Sequence, residues 1–339
     1  MRHKTDGTIQ KDLDDGIDTI GKKMTVCQLY AKQIRHRGNV RYNTKNGRKR
    51  LMKLLEEDKL GGCPIDSVKL SDAKEWAIRM KEKGISYKTI SNDKRSLKAA
   101  FCTAIQDDCI RKNPFDFQLN TVIEDDTEPK VPLTPAQEES FLSFAQNDKV
   151  YQKYYDELII LLGTGLRISE LCGLTDTDID FENRIINVDH QLLRSAETGY
   201  YIETPKTKSG IRQIPMSEKV YEAFNRVLKR RRGAKAVTID GYSNFLFLNR
   251  DGYPKTATNY DGMFRGHAKK YNKYHEEALP KVMTPHTLRH TFCTNMANAG
   301  MNPKALQYIT GHSNITMTLN YYAHATFDSA KAEMLRIAA

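Results

Sequence analysis

The chain has 339 residues, 28% charged and 39% hydrophobic, with 53 Lys and Arg against 42 Asp and Glu, a formal charge of +11. That mix excludes a disordered polymer and leaves room for two cores, and the excess of positive charge points to a polyanionic partner, nucleic acid or an anionic membrane surface. Apolar runs such as "ELIILLGTGL" are too short to cross a bilayer, and "MRHKTDGTIQ" lacks the apolar centre of a signal peptide, so nucleic acid is favoured over membrane.

Residues 1 to 23 are polar, without a period, and read as a tail or connector. From Met24 to Phe117 the pattern is helical. "TVCQLYAKQI", "GRKRLMKLLEED", "LSDAKEWAIRMKEKG" and "SYKTISNDKRSLKAAFCTAIQDDCI" each repeat apolar residues at spacings of three and four, predicting a small bundle. Gly84 ends the third helix, Ser86 caps the fourth, and "KNPFDF" stops it. Basic residues crowd this segment. Arg48, Lys49, Arg50, Lys88, Lys94, Arg95 and Lys98 are candidate phosphate contacts as a group, although any one alone is better explained as a solvated charge.

Residues 118–133 are acidic, contain proline and read as a linker. Structure restarts at "LTPAQEESFLSF", with Thr134 as N-cap, Pro135 at the first helical position and Gln137 completing a capping box. The domain from 134 to 325 is mixed: helices, then strand-like runs "RIINVDHQLL" and "GYYIETPKTKSGIRQIPM" joined by "RSAETG", then more helices. Residues 326–339 form an amphipathic tail, docking either in cis or on a neighbouring protomer. No P-loop or G-x-G-x-x-G is present, so nucleotide binding is not indicated. The six cysteines are scattered without a C-x-x-C pair, which suggests neither a zinc site nor a disulfide framework and fits a reducing cytoplasm.

Four segments of the second domain carry basic or imidazole groups that packing does not explain. "GTGLRISEL" puts Arg167 at a helix start after a glycine turn. "TPHTLRHTF" opens another helix, with His286 and Arg289 on one face. "YITGHSN" places His312 after Gly311 at a helix end, and "TPKTKSGIRQIP" carries Lys206 and Lys208 on a strand or hairpin tip. Singly, each has a plain reading: Arg167 could pair with Glu170, and His290 could pack. A zinc face made of His286 and His290 is disfavoured by the neighbouring Arg289.

In this order, the segments resemble the tyrosine recombinase or phage integrase family, and phrases such as "QKDLDDGI", "KTKSGIRQIP" and "NITMTLNYYAHA" resemble integrases of conjugative transposons and Gram-positive phages. The resemblance spans nearly the whole chain. It implies an α-helical core-binding domain over 24–117 and a mainly α-helical catalytic domain with a small antiparallel β-sheet over 134–325. It implies a site-specific DNA recombinase that cleaves through a 3′-phosphotyrosine, without metal or ATP, as two dimers assembled into a tetramer on double-stranded core sites. An excisionase or host bending protein is a further expected partner, and the start "IQKDLDDGI" resembles the remnant of an arm-binding domain.

By the same resemblance, Arg167 and Arg289 clamp the phosphate, His286 moves the nucleophile's proton, and His312 bonds the scissile phosphate. Lys208 is the general acid, with Lys206 the alternative facing the DNA. Of the adjacent tyrosines, Tyr322 is expected as nucleophile, because Tyr322-Ala323-His324 fits the branch's Tyr, small residue, His frame, leaving Tyr321 to pack. The rival functions are a type IB topoisomerase sharing this chemistry and a catalytically silent DNA-binding protein of the same fold.

Overall fold

The computed structural model describes residues 21–38, 40–128, 131–205, 207–231, 237–322 and 334–335. The chain divides into two compact units, Met1–Glu128 and Pro129–Ala339.

In the first unit four helices enclose one core: α1 (Val26–His36), α2 (Tyr42–Glu56), α3 (Leu70–Glu82) and α4 (Tyr87–Gln106). Thr25 starts α1 through a capping box with Gln28. In α4, the expected Ser86 cap accepts from the Thr89 amide, and Ile90, Leu97, Ala100, Phe101 and Ala104 are buried at helical spacing. Trp76, Phe101 and Phe115 meet at the centre, with ring centroids 5.8 and 5.4 Å apart. Each such side chain contributes about 1.5–3 kcal/mol by leaving water. The fourth helix stops at Gln106, short of the expected Ile110, because Asp108 adopts a left-handed φ of 52° before the proline is reached. Leu119 and Ile123 bury in this core and Leu133 in the second, so the ends of the linker segment belong to the cores beside them.

The second unit is built around α6 (Tyr155–Thr164), which buries Leu158, Ile160, Leu161 and Leu162 and so is apolar nearly all round. Around it lie α5 (Pro135–Asn147), α7 (Ile168–Gly173), α8 (Glu218–Arg231), α9 (Ala257–Tyr274), α10 (Pro285–Asn298), α11 (Pro303–Thr310) and α12 (Ile315–Leu319). Thr134 and Gln137 make the predicted capping box of α5. A separate small cluster of Phe292, Cys293 and Leu306 packs α10 against α11 and takes in Tyr321 and Tyr322.

Both strand-like runs are broken. The first gives β2 (Ile185–Val188) and β3 (Gln191–Ser195); the second gives β4 (Gly199–Glu203), a 3-10 turn at Lys208–Gly210, and β5 (Arg212–Pro215). With β1 (Ile179–Asp180) they form an antiparallel sheet β1-β2-β5 and a hairpin β3-β4. The break in the first run falls at Asp189 and His190: the His190 ring is buried, with Nε2 2.8 Å from the Gly173 carbonyl. Of the lysine pair, Lys208 stands exposed on the 3-10 turn rather than on a strand. Lys206 lies outside the described residues.

Candidate active site

Two glycines let the chain bring the site together. Gly165 ends α6 with φ +62° and Gly311 ends α11 with φ +64°, a conformation that side chains disfavour. Space makes the same demand. A Cβ on Gly165 would lie 2.4 Å from the Phe292 ring, and one on Gly311 would lie 2.9 Å from the Ser209 carbonyl oxygen and 3.2 Å from the Arg212 guanidinium. The closeness of Gly311 and Ser209 sets the Lys208 turn beside the end of α11.

Arg167 is the N-cap residue of α7. Its backbone N–H donates to Glu170 Oε2 at 2.9 Å, while its guanidinium donates to Glu170 Oε1 at 2.7 Å and to the Gly311 carbonyl at 3.0 Å. Arg289, nearly wholly buried on α10, donates to the carbonyls of Gly165 at 2.6 Å and Thr310 at 2.5 Å. Helix ends thus supply carbonyls that hold both forks, and the remaining N–H groups are left for an anion. Burial, then the neighbouring Arg167 charge, brings the Arg289 pKa down to about 10, still positive at neutral pH.

Glu170, which does pair with Arg167, has a second role. Arg212 on β5, with its side chain fully buried, grips both Glu170 oxygens at 2.8 and 3.1 Å and donates to the Ile309 and Gly210 carbonyls at 2.6 and 3.1 Å. Burial pushes the Glu170 carboxyl up, but bonds and charge from Arg212 and Arg167 outweigh it and hold the pKa below the ordinary value. Sequence reasoning passed over Arg212. The available signal was a basic residue in phase with Ile214 on the inward face of a strand.

His312 is buried, with Nδ1 2.9 Å from the Thr318 hydroxyl, so Nε2 is the nitrogen open to a ligand. Burial and the charges of Arg289, Arg167 and Arg212 lower its pKa to about 4, so at neutral pH the ring is uncharged. His286 is exposed in the first turn of α10, its ring 4.9 Å from that of His290.

The tyrosine expectation requires correction. The Tyr322 hydroxyl donates to the Met301 carbonyl at 2.5 Å, turned into the small apolar cluster, and no arginine bears on its pKa, which burial raises. Tyr321 is the tyrosine among the site residues: its ring centroid lies 5.3 Å from that of His290 and 6.3 Å, near-parallel, from that of His312. Burial pushes the Tyr321 phenol well up and Arg289 pulls it down. The two residues follow α12 in a turn, and successive side chains there diverge, so only one can face the arginines.

The basic candidates of the first unit differ in how they are engaged. Arg50 donates to the buried Asp93 at 2.5 Å, tying α2 to α4, and Lys98 pairs with Asp116 at 2.5 Å. Lys94 lies 4.4 Å over the Phe117 ring. Lys49, Lys88 and Arg95 are exposed and Arg48 is half-buried. Tyr87, Ser91, Lys94, Arg95, Lys98 and Asn120 line a groove of about 460 Å³ beside α4. Among the described residues one group has metal-ligand spacing, Asp178, Asp189 and His190. Hydrogen bonds account for it: His190 meets Asp189 at 2.6 Å and Gly173, and Asp178 takes the Thr175 amide and hydroxyl, each at 2.7 Å.

The transposase from transposon Tn916 of Enterococcus faecalis is 68% identical over 329 residues, covering 97% of this chain and 81% of its own. The Tn1549 transposon integrase bound to circular intermediate DNA is 77% identical with a TM-score of 0.89, covering 92% of this chain and 99% of that one. The same integrase with a tyrosine-to-phenylalanine change, bound to transposon right end DNA, matches at 77% identity and a TM-score of 0.88, covering 93% of this chain and 100% of that one. The arginine changed in the first of these structures and the tyrosine changed in the second are as far apart in sequence as Arg167 and Tyr321 are here. Residues 132–329 match the model of the phage integrase family, and with these relatives the chain belongs to that family, the tyrosine recombinases.

Proposed function

We propose that the chain is the integrase of a transposon, a site-specific DNA recombinase whose nucleophile is Tyr321. The observation that carries this reading is that Arg167 and Arg289 are held beside the α11 end that carries His312, and that Tyr321 lies against His312 and within reach of the Arg289 charge, while Tyr322 is turned away to Met301. Relatives bound to transposon DNA support DNA as the substrate.

In the proposed step, the Tyr321 oxygen bonds to the scissile phosphorus and the bond to the 5′ oxygen breaks, leaving a 3′-phosphotyrosine and a free 5′ hydroxyl. Negative charge grows on the non-bridging oxygens. The forks of Arg167 and Arg289 meet it with donors already held in place by carbonyls, so little reorganisation is needed. Neutral His312 donates from Nε2. The phenol's proton leaves through His286, exposed in the first turn of α10, and Lys208 gives a proton to the leaving oxygen. A 5′ hydroxyl from a partner duplex reverses the step, and because the ester keeps the energy of the broken bond, rejoining needs neither ATP nor metal. Pairs of protomers on each core site, joined as a tetramer, supply the two duplexes. The basic face of the first unit tracks the phosphate backbone.

A nicked suicide duplex that loses its 5′ fragment on cleavage tests the reading: a covalent adduct is expected, and its absence at any site sequence overturns it. Lys208→Ala is expected to slow adduct formation by about 10²–10⁴-fold. A duplex with sulfur as the bridging leaving atom, which departs without a proton, should restore the rate; equal slowing on both substrates would remove Lys208 from the acid's role. Binding to the core duplex is expected to weaken with salt at a log–log slope of about −0.9 per phosphate contacted. Replacing Lys88 and Arg95 together should make that slope shallower by about two contacts, as filter binding across a salt series would show.

A further inference from the structure

Thr318, on α12, is fully buried, and its hydroxyl lies 2.9 Å from Nδ1 of the buried His312. The backbone of the same residue reaches the nucleophile: the Thr318 carbonyl accepts the Tyr321 N–H at 3.0 Å. One residue thus touches both the imidazole expected to meet the phosphate and the turn that carries Tyr321.

At neutral pH the His312 ring holds a single proton, because burial and the neighbouring guanidiniums disfavour a second. A neutral imidazole has one N–H and one bare nitrogen, and a donor to phosphate must present the N–H. The hydroxyl of Thr318 has a need of its own, since a buried O–H requires an acceptor. Other helical threonines of this unit find one four residues back: Thr164 donates to the Ile160 carbonyl, Thr291 to that of Thr287 and Thr310 to that of Leu306. Among the described residues, the hydroxyl of Thr318 bonds to His312 instead. Nδ1 is then the acceptor, and the ring's proton is left on Nε2. The opposite tautomer would strand a buried hydroxyl proton and aim a lone pair at the phosphate oxygens.

We propose that Thr318 is a positioning residue that locks His312 in its Nε2–H tautomer, so that the ring is already a donor when the scissile phosphate arrives. This rests on the reading of His312 as the histidine that bonds that phosphate. A donor fixed in advance needs no proton rearrangement as charge grows on the non-bridging oxygens. Because the Thr318 carbonyl also holds the Tyr321 amide, donor and nucleophile are set by one short helix.

A nitrogen–proton correlation spectrum of the full chain, isotope-labelled at histidine, tests the tautomer in the unsubstituted protein. The His312 signals, identified by their loss in His312→Gln, should show Nε2 protonated and Nδ1 bare; a proton on Nδ1 overturns the proposal. Thr318→Val keeps the shape of the side chain and removes the hydroxyl. It is expected to slow single-turnover adduct formation on the suicide duplex roughly tenfold. Core-duplex affinity should change little, which also shows that the variant is folded. Thr318→Ser keeps the hydroxyl and should stay near the parent rate. Serine slowed as much as valine would make Thr318 a packing residue and overturn the lock, as would a valine variant that cuts at the parent rate. In a His312→Gln background the amide can donate whatever Thr318 does, so Thr318→Val should add no further slowing. The full slowing there would show that Thr318 does not act through His312. No adduct with the unsubstituted enzyme would instead overturn the recombinase reading, and the spectrum alone would then decide the tautomer.

Discussion

Tyr321→Phe is expected to abolish the covalent adduct, by about 10⁴-fold or more, because no other group can accept the phosphoryl bond. Tyr322→Phe should retain it. The second variant loses only the bond to the Met301 carbonyl, a stability cost of about 0.5–1.5 kcal/mol, and its cleavage rate should stay within a few-fold of the parent. The physical ground for the contrast is electrostatic. A phenol near pKa 10 needs a positive field to ionise at neutral pH. Burial holds both phenols above their ordinary value in the free protein; Arg289 pulls against it at Tyr321, and no arginine does so at Tyr322. Adduct formation on the suicide duplex, resolved on a denaturing gel, checks both variants. An adduct that survives Tyr321→Phe and vanishes with Tyr322→Phe would restore the assignment made from the sequence alone.

That assignment shows where sequence reasoning stops. The motif frame Tyr, small residue, His reads along the chain, but which of two adjacent tyrosines meets a phosphate depends on how the turn after α12 is docked. The docking comes from contacts with Met301 and Cys293, 20 or more residues away in sequence, and those leave no local pattern. Arg167 and His312 were legible because each sits at a helix end marked by a glycine, and Arg289 because its helix opens on Pro285 about a turn earlier; such punctuation is local. The helices and their caps at Thr134 and Ser86 were legible for the same reason. The strands were only half legible: both runs alternate well enough to read as extended, yet their division between two sheets follows from where His190 must bury, a tertiary matter. Arg212 was hidden because its function is in its partners. Without Glu170 in view, a basic residue after "KSGI" reads as another candidate for DNA.

Arg212 carries the second large expected effect. Arg212→Ala leaves Glu170 buried with half its partners gone, and breaking a buried pair in this way costs about 3–5 kcal/mol, a melting temperature lower by roughly 10 °C in a unit of this size. The pH dependence should change sign. In the parent, Glu170 is held below its ordinary pKa, so its contribution is present above the unfolded value and is lost as pH falls through the folded one. With Arg212 removed, burial outweighs the remaining help from Arg167 and the folded pKa rises above the unfolded value. The variant should then regain stability toward acid and lose it as pH climbs, which thermal melts between pH 5 and 8 would reveal. A variant that melts in parallel with the parent across that range would show the pair to be energetically idle. Replacing both partners by apolar residues of like size should recover most of the stability, since an unpaired buried charge no longer remains. Cleavage should not recover with it. Glu170 also orients Arg167, and Arg212 holds the Ile309 carbonyl near the end of α11, from which Thr310 and Gly311 steady the two clamping arginines. A double variant that folds well and cuts poorly would place the pair's value in aiming the clamp rather than in holding the fold.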